Sequence, residues 1–254
     1  MSEHVLVDRR DAVLALTLAR PEQRNALTVA MYAALADAIE GAATDPSIRV
    51  IVIEGQGDDF TAGNDLADFI NTLPAPDSGD DVPVWRLLRA LARNQVPLIA
   101  AVHGNAVGIG TTMLLHCDFV LAEEGSRFVM PFVDLGLVPE AASSLLLPRI
   151  AGRRRAARYL LLGERFGVDE ALDLGIASHK VPAGGLKAAL DTLVAALLAK
   201  PPEALRQTQA LLRREATDEI LAQIELENGH FSERLASDEV KQAIASFFAA
   251  RARA

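Results

Sequence analysis

The chain has 254 residues, of which 50% are hydrophobic and 23% charged: enough to bury one large core or two small ones, and too apolar for wholesale disorder. Its 25 Lys and Arg against 34 Asp and Glu give a formal net charge of −9, which disfavours nucleic acid or an anionic membrane as the main partner. The single cysteine, Cys117, excludes an intrachain disulfide and offers no zinc cluster, and no apolar run approaches the roughly 20 residues that span a bilayer, so a soluble, cytoplasmic protein without a metal site is expected.

The N-terminal VLVDRRDAVLALTL reads as two short strands around a charged turn, with no basic segment and apolar run of a secretion signal before it. Thr28 is placed to cap a helix running to Ile39, with Met31, Leu35 and Ile39 at helical spacing and a stop near Gly41. Arg49–Glu54 is a β-branched run too short for anything but a buried strand, and the Gly-rich GQGDDFTAGND follows it. The stretch 71–83, rich in Pro, Asp and Gly, is the expected mobile surface loop. A helix over Val84–Arg93, a strand over Pro97–Val102, a glycine turn in HGNAVGIG, a short buried helix over Thr111–His116 and a strand over Asp118–Ala122 come next. Strand, glycine turn and helix thus recur, which implies a layered α/β core. From Glu140 on the pattern is helical: Glu140–Ile150, Arg153–Leu162, Asp169–Leu174, Gly185–Lys200, Pro202–Arg214, Asp218–Leu235 and Asp238–Ala250, with one strand over Ile176–Val181.

The chain lacks GxSxG, GxxxxGK[ST] and HExxH, and the glycines at 104, 108 and 110 do not have dinucleotide-binding spacing. What remains is two glycine loops, FTAGND and HGNAVGIG, each after an apolar strand, where backbone N–H groups can turn into a cleft. Chain reversal alone would explain them equally. Glu140 has two readings as well. After Pro139 it can sit in the first turn of a helix against the positive end of its dipole; or, flanked by Leu135, Leu137, Val138, Ala141 and Ala142, it can occupy an apolar pocket that raises its pKa and suits it to shuttle protons. His103 reads as a turn residue bonded to backbone, Asp134 as a loop acid near the same segment, and Cys117 as a small core residue.

RPEQRNALT, RVIVIEGQGDDFTAGNDL, PLIAAVHGNAVGIGTTMLLHCDFVLA, FVMPFVDLGLVPEAASSLLLPRIAG and FGVDEALDLGIASHKV resemble, in order and spacing, the crotonase (enoyl-CoA hydratase/isomerase) superfamily. The resemblance implies an α/β fold, a crotonase-type spiral of ββα units with a helical C-terminal trimerisation region, here a core over 1–195 and an oligomerisation region over 196–254. It implies a homotrimer or dimer of trimers acting on an acyl-CoA thioester, with coenzyme A part of the substrate and no separate cofactor. The N–H groups of Asn64 and Ile109 would hold the thioester oxygen, although the family usually has Gly where Ile109 stands. Arg24, Ala26, Ala62, Gly63, Asp65, Leu66, Gly108 and Phe132 would line the substrate; Arg24, Lys241 or Arg251 would meet the CoA 3′-phosphate, and residues 71–83 would gate the acyl tunnel.

Family hydratases use two glutamates, at the positions held here by Thr112 and Phe132, neither of which can move the proton that water addition requires. Glu140 falls instead where Δ3,Δ2-enoyl-CoA isomerases of peroxisomal type place a single catalytic glutamate, and FTAGNDL, GNAVGI, KPPEALRQTQ and SDEVKQAIASFF look like that subgroup. The expected reaction moves a 3-enoyl-CoA double bond to trans-2-enoyl-CoA in fatty-acid β-oxidation, with hydration or another crotonase reaction as the alternative. The terminal ARARA carries no peroxisomal address.

Overall fold

The structure, a computed structural model, describes residues 2–68, 82–214 and 217–251. Strands β1 (Val5–Arg10) and β2 (Val13–Leu18) form the expected N-terminal hairpin, turning at Asp11 with φ of 53°. With β3 (Val50–Gly55), β4 (Leu98–Val102), β6 (Phe119–Glu123) and β8 (His179–Val181) they make a six-stranded sheet in the order β1-β2-β3-β4-β6-β8, parallel throughout except for β1 on β2. Side chains alternate across it. Ile51, Ile53, Leu98, Ala100, Val102 and Val120 enter the main core, whereas Val50, Val52, Ile99, Ala101 and Leu121 face a smaller core closed by Leu190 and Leu197 of a C-terminal helix. Burial on both faces explains why β3 and β4 read as continuous apolar runs.

Helix α1 (Val29–Thr44) starts where expected, with the Thr28 hydroxyl accepting from the Met31 N–H at 3.3 Å. It does not stop at Gly41 but runs to Thr44: the stripe Met31, Leu35, Ile39 continues into buried Ala42, so packing outweighs the modest helix penalty of one glycine. Helix α2 (Pro83–Arg93) lies against α1. Of the predicted loop 71–83, residues 71–81 lie outside the described residues, while Val82 and Pro83 begin α2.

The segment read as one glycine turn, HGNAVGIG, contains a strand. In a second, two-stranded sheet, β5 (Asn105–Val107) pairs in parallel with β7 (Arg127–Val129), flanked by bonds from the Arg127 N–H to Gly104 O and the Gly108 N–H to Val129 O, both 2.8 Å. Three residues are too few to show a period. Helix α3 (Ile109–Thr112) follows β5 directly and runs into a 3-10 turn over Met113–His116.

Beyond β7 come α4 (Ser143–Ala151), α5 (Arg153–Leu161), α6 (Val168–Asp173), α7 (Leu186–Leu198), α8 (Pro202–Arg213), α9 (Thr217–Leu235) and α10 (Asp238–Arg251). The strand expected from Ile176 begins only at His179, because the Ile176 and Ala177 amides bond back to Ala171 O and close α6. The C-terminal helices are integral to the main core: Ile224 and Phe231 of α9 and Val240 and Ile244 of α10 are buried in it, and Phe231 meets Trp85 of α2 edge to face at 5.8 Å. No helix among the described residues is long and apolar enough to cross a membrane.

Candidate active site

Three chain segments are laced together beside the C-terminal ends of β3 and β4. The Phe60 and Thr61 amides donate to His103 O and Asn105 O at 2.9 and 3.0 Å, and the Val107 amide returns a bond to Thr61 O at 3.1 Å. On its other side the first glycine loop pairs with the RNAL segment: Ala62 N–H to Arg24 O, Leu27 N–H to Gly63 O and Asp65 N–H to Leu27 O, all within 2.9 Å. Two glycines permit the approach. A Cβ on Gly63, whose φ is 86°, would lie 2.8 Å from Val107 O, and a Cβ on Gly110 would lie 2.4 Å from the Thr61 methyl.

This lacing leaves two backbone donors free. In the bridge to Leu27 it is Gly63 O and Asp65 N–H that point across, so the Asn64 N–H points away and meets no acceptor among the described residues. The Ile109 N–H opens α3, where the first amides have no intrahelical partner, and it too lacks an acceptor among the described residues. Ile109 itself is buried in the main core.

The segment after β7 departs from the helix-dipole reading of Glu140. Helix α4 starts at Ser143, and between it and Glu140 lie two consecutive left-handed residues, Ala141 (φ 60°) and Ala142 (φ 54°), both fully buried. Such a pair is strained for residues with a Cβ. Glu140 is consequently on a tight turn outside the helix, fully buried, and neither carboxyl oxygen has a hydrogen-bond partner among the described residues. Burial, and secondarily the Glu227 carboxylate, push its pKa up to about 8.

Residues that sequence reasoning missed hold this turn. The His116 Nε2–H donates to Ala141 O at 2.8 Å, and burial holds this imidazole down at about 4, in its neutral form. Glu227, on α9, accepts from the Ser144 N–H at 3.0 Å and from the Ser144 hydroxyl, while Gln223 one turn earlier donates to Ser144 Oγ at 2.9 Å. Tyr32 of α1 is buried, and its phenol donates to the Asn64 side-chain oxygen. Burial and then the Glu140 carboxylate raise the Tyr32 pKa well above its usual value, which puts Tyr32, Asn64 and Glu140 in one electrostatic neighbourhood. A signal existed for Glu227: with Asn228 it occupies the i+3 and i+4 positions between Ile224 and Phe231, on the core-facing stripe of α9.

The remaining predicted residues divide. Ala62, Gly63, Gly108 and Leu66 lie in the two loops, Gly108 with φ of 57° and its amide on Val129 O. Asp65 is tied to Arg20 at 2.7 Å; burial acts to raise its pKa, but the bonds from Arg20 and from the Asp68 and Ala67 amides prevail and hold it below the usual range. Ala26 is half-buried and its carbonyl accepts from Arg20 at 3.1 Å. Arg24 is left-handed (φ 52°) and exposed, 3.6 Å from Asp59, and Lys241 pairs with Asp238 at 3.0 Å; nothing is described of the Arg251 side chain. Phe132 is buried and Val133 beside it is 47% exposed. Asp134 is also exposed, in a 3-10 turn of its own. His103 does bond backbone, through Nε2 to Gly57 O at 2.8 Å. Thr112 Oγ1, Ser143 Oγ and the Asn228 amide are buried without a partner.

The family model described as enoyl-CoA hydratase/isomerase matches residues 8–253. The chain belongs to the enoyl-CoA hydratase/isomerase family. It is 35% identical to the 1,2-epoxyphenylacetyl-CoA isomerase of Escherichia coli, over 99% of this chain and 97% of that one. It is 30% identical to the peroxisomal enoyl-CoA delta isomerase 3 of Mus musculus, over 100% and 80% respectively. Hydratases are among its other relatives. A crystal structure of an enoyl-CoA hydratase/isomerase from Pseudoalteromonas atlantica superposes with a TM-score of 0.91 at 41% identity over 97% of each chain. The fold is thus the α/β crotonase-type fold, and the chain is an enzyme of the enoyl-CoA hydratase/isomerase family.

Proposed function

We propose that this family member is an enoyl-CoA isomerase in which Glu140 carries one proton from C2 to C4 of a 3-enoyl-CoA. The observation that carries this reading is Glu140: a fully buried carboxylate with no hydrogen-bond partner among the described residues, on a strained turn, electrostatically coupled to Tyr32, which is bonded to Asn64 at the first glycine loop. The ionised carboxylate takes the C2 proton and leaves a dienolate. Its oxygen accepts from the N–H groups of Asn64 and Ile109, each such donor contributing about 3 kcal/mol to the transition state. The protonated Glu140 then gives the proton to C4, so the double bond moves and nothing is gained or lost overall. A base whose pKa of about 8 lies near the working pH suits both halves of the cycle.

Thr112 and Phe132 support isomerisation over hydration, because neither side chain at these positions can activate water. The acyl-CoA itself supplies the only coenzyme the shuttle uses. Arg24 is the described cation best placed to meet the 3′-phosphate, since it is exposed and loosely paired. The region 196–254 is proposed to mediate assembly as a homotrimer or pair of trimers through the exposed Leu211, Leu212 and Leu226, a state that light scattering measures.

Purified protein is expected to convert 3-hexenoyl-CoA to the conjugated 2-enoyl product, followed by its absorbance, and Glu140→Ala to lose that activity by orders of magnitude. A parallel assay with crotonyl-CoA separates the alternative. Turnover of crotonyl-CoA to the 3-hydroxy product with no isomerisation would replace this reading by hydration, and a fully active Glu140→Ala would refute the role of the glutamate.

A further inference from the structure

We infer that Glu227, reaching in from α9, is a positioning residue for Glu140: it grips the strained turn that presents the base and sets a like charge against it. The inference rests on Glu140 being the base of the proposed reaction, but its central measurement does not. Two features of the geometry carry it.

First, Glu227 is bound to the start of α4, directly behind the strained pair, and not to its own helix. Its carboxylate collects the Ser144 N–H and the Ser144 hydroxyl, and Gln223, on the same face of α9, reinforces the grip through Ser144 Oγ. The amide it takes lies in the first turn of α4, two residues past the second left-handed alanine, a turn that otherwise has no side-chain cap. From the other side His116 holds Ala141 O. Backbone in so unfavourable a conformation persists only where its surroundings impose it, and these two side chains are the imposing groups on the residues that follow Glu140.

Second, the arrangement is costly unless it serves Glu140. Glu227 is 5% exposed, one of its oxygens has no partner, and no arginine or lysine pairs with it among the described residues. The cations that bridge α9 to neighbouring helices are paired with other acids: Arg89 of α2 with Glu225, and Arg149 of α4 with Glu219. The remaining ionisable groups packed around the pair are Tyr32 from α1 and His116 from the 3-10 turn after α3, both uncharged between pH 5 and 9 in view of their shifts, with Arg213 of α8 bonded to His116 O and Asp118. A like charge with no counter-ion raises the proton affinity of its neighbour, and burial holds Glu227 itself at about 6, low enough to be charged when the enzyme works at neutral pH. The unpaired Glu227 therefore keeps Glu140 a stronger base than burial alone would.

The test uses carbon NMR of the glutamate carboxyl groups in the full-length, ligand-free protein, with the Glu140 resonance assigned by its loss in Glu140→Gln. Glu227→Gln keeps the side-chain size and an oxygen to accept the Ser144 amide but removes the charge. It is expected to lower the Glu140 midpoint by about one pH unit, and the rising limb of kcat against pH for 3-hexenoyl-CoA is expected to move with it. Glu227→Ala also releases the turn and is expected to reduce kcat about a hundredfold, a loss that the Gln variant largely recovers. An unmoved Glu140 midpoint in Glu227→Gln would overturn the inference, and so would an Ala variant with the kcat of the Gln variant. Because the midpoint is read without substrate, absence of isomerisation in the parent protein would overturn the proposed function and leave this measurement decisive for Glu227.

Discussion

The phenol of Tyr32 donates to the side-chain oxygen of Asn64, so α1 reaches across to fix the one residue of the first glycine loop whose N–H is left free. Tyr32→Phe removes that tether and nothing from the backbone lacing, which is made by residues 62, 63 and 65. It is expected to cost about 1 kcal/mol of stability and to lower kcat for 3-hexenoyl-CoA about tenfold with KM nearly unchanged, since a displaced oxyanion donor matters most in the transition state. Steady-state kinetics beside a thermal melt measure both. An unchanged kcat would mean that the backbone bonds alone hold Asn64.

Glu140 makes activity and stability respond to pH in opposite senses. Burial pushes its carboxyl up to about 8 in the folded chain against 4.5 for an ordinary glutamate, so between those values the unfolded chain ionises while the folded one keeps its proton, and stability falls as pH rises through this window. The full difference is about 3–5 kcal/mol. Activity, which needs the ionised base, is expected to climb over the upper part of the same window. Glu140→Gln should abolish the chemistry and stabilise the protein by a few kcal/mol at pH 8, with the gain shrinking toward zero near pH 4. Urea denaturation at several pH values gives the comparison; a gain independent of pH would show that the carboxyl is not held neutral.

The two loops depend on Gly63 and Gly110 for different reasons. Gly63→Ala meets both a left-handed φ and a carbonyl oxygen, whereas Gly110→Ala meets only the Thr61 methyl. Both are expected to push the loops apart, at about 1–3 kcal/mol each, with kcat falling more than tenfold. Thr61→Ser removes the clashing methyl and, added to each glycine variant in turn, should recover most of the Gly110→Ala loss but none of the Gly63→Ala loss. Kinetics of the four variants decide it.

What the sequence disclosed follows from where the information resides. Buried on both faces, β3 and β4 declare themselves as apolar runs, and Thr28 sits in the side-chain chemistry of a cap. The three-residue strands β5 and β7 have no pattern of their own; their pairing is a property of the folded chain. Family resemblance led to Glu140, Asn64 and Ile109, but local rules misplaced the glutamate, because Pro139 followed by an acid is also how a helix begins, and nothing in AA at 141–142 announces two left-handed residues. Glu227 is legible in principle, as an acid on the apolar stripe of α9, but the family resemblance assigns that helix to an oligomerisation region and not to the wall of a site.

His116 supplies a stability term that acts at the acid end. The backbone oxygen of Ala141 can only accept, so the ring must carry its proton on Nε2, and burial keeps the other nitrogen from taking one until about pH 4, against 6.5 for an unburied histidine. A depressed pKa stabilises the folded chain above the unfolded value and loses that stabilisation as pH falls toward the folded one. Between pH 6.5 and 4 the parent protein is therefore expected to lose about 3 kcal/mol through this group alone. His116→Gln retains an N–H that can reach Ala141 O but does not titrate. Subtracting its stability curve from that of the parent cancels the carboxylates common to both and should leave a difference that grows steadily below pH 6.5. A flat difference across that range would show that His116 takes its second proton as readily in the fold as in the unfolded chain, so that burial does not hold the ring neutral.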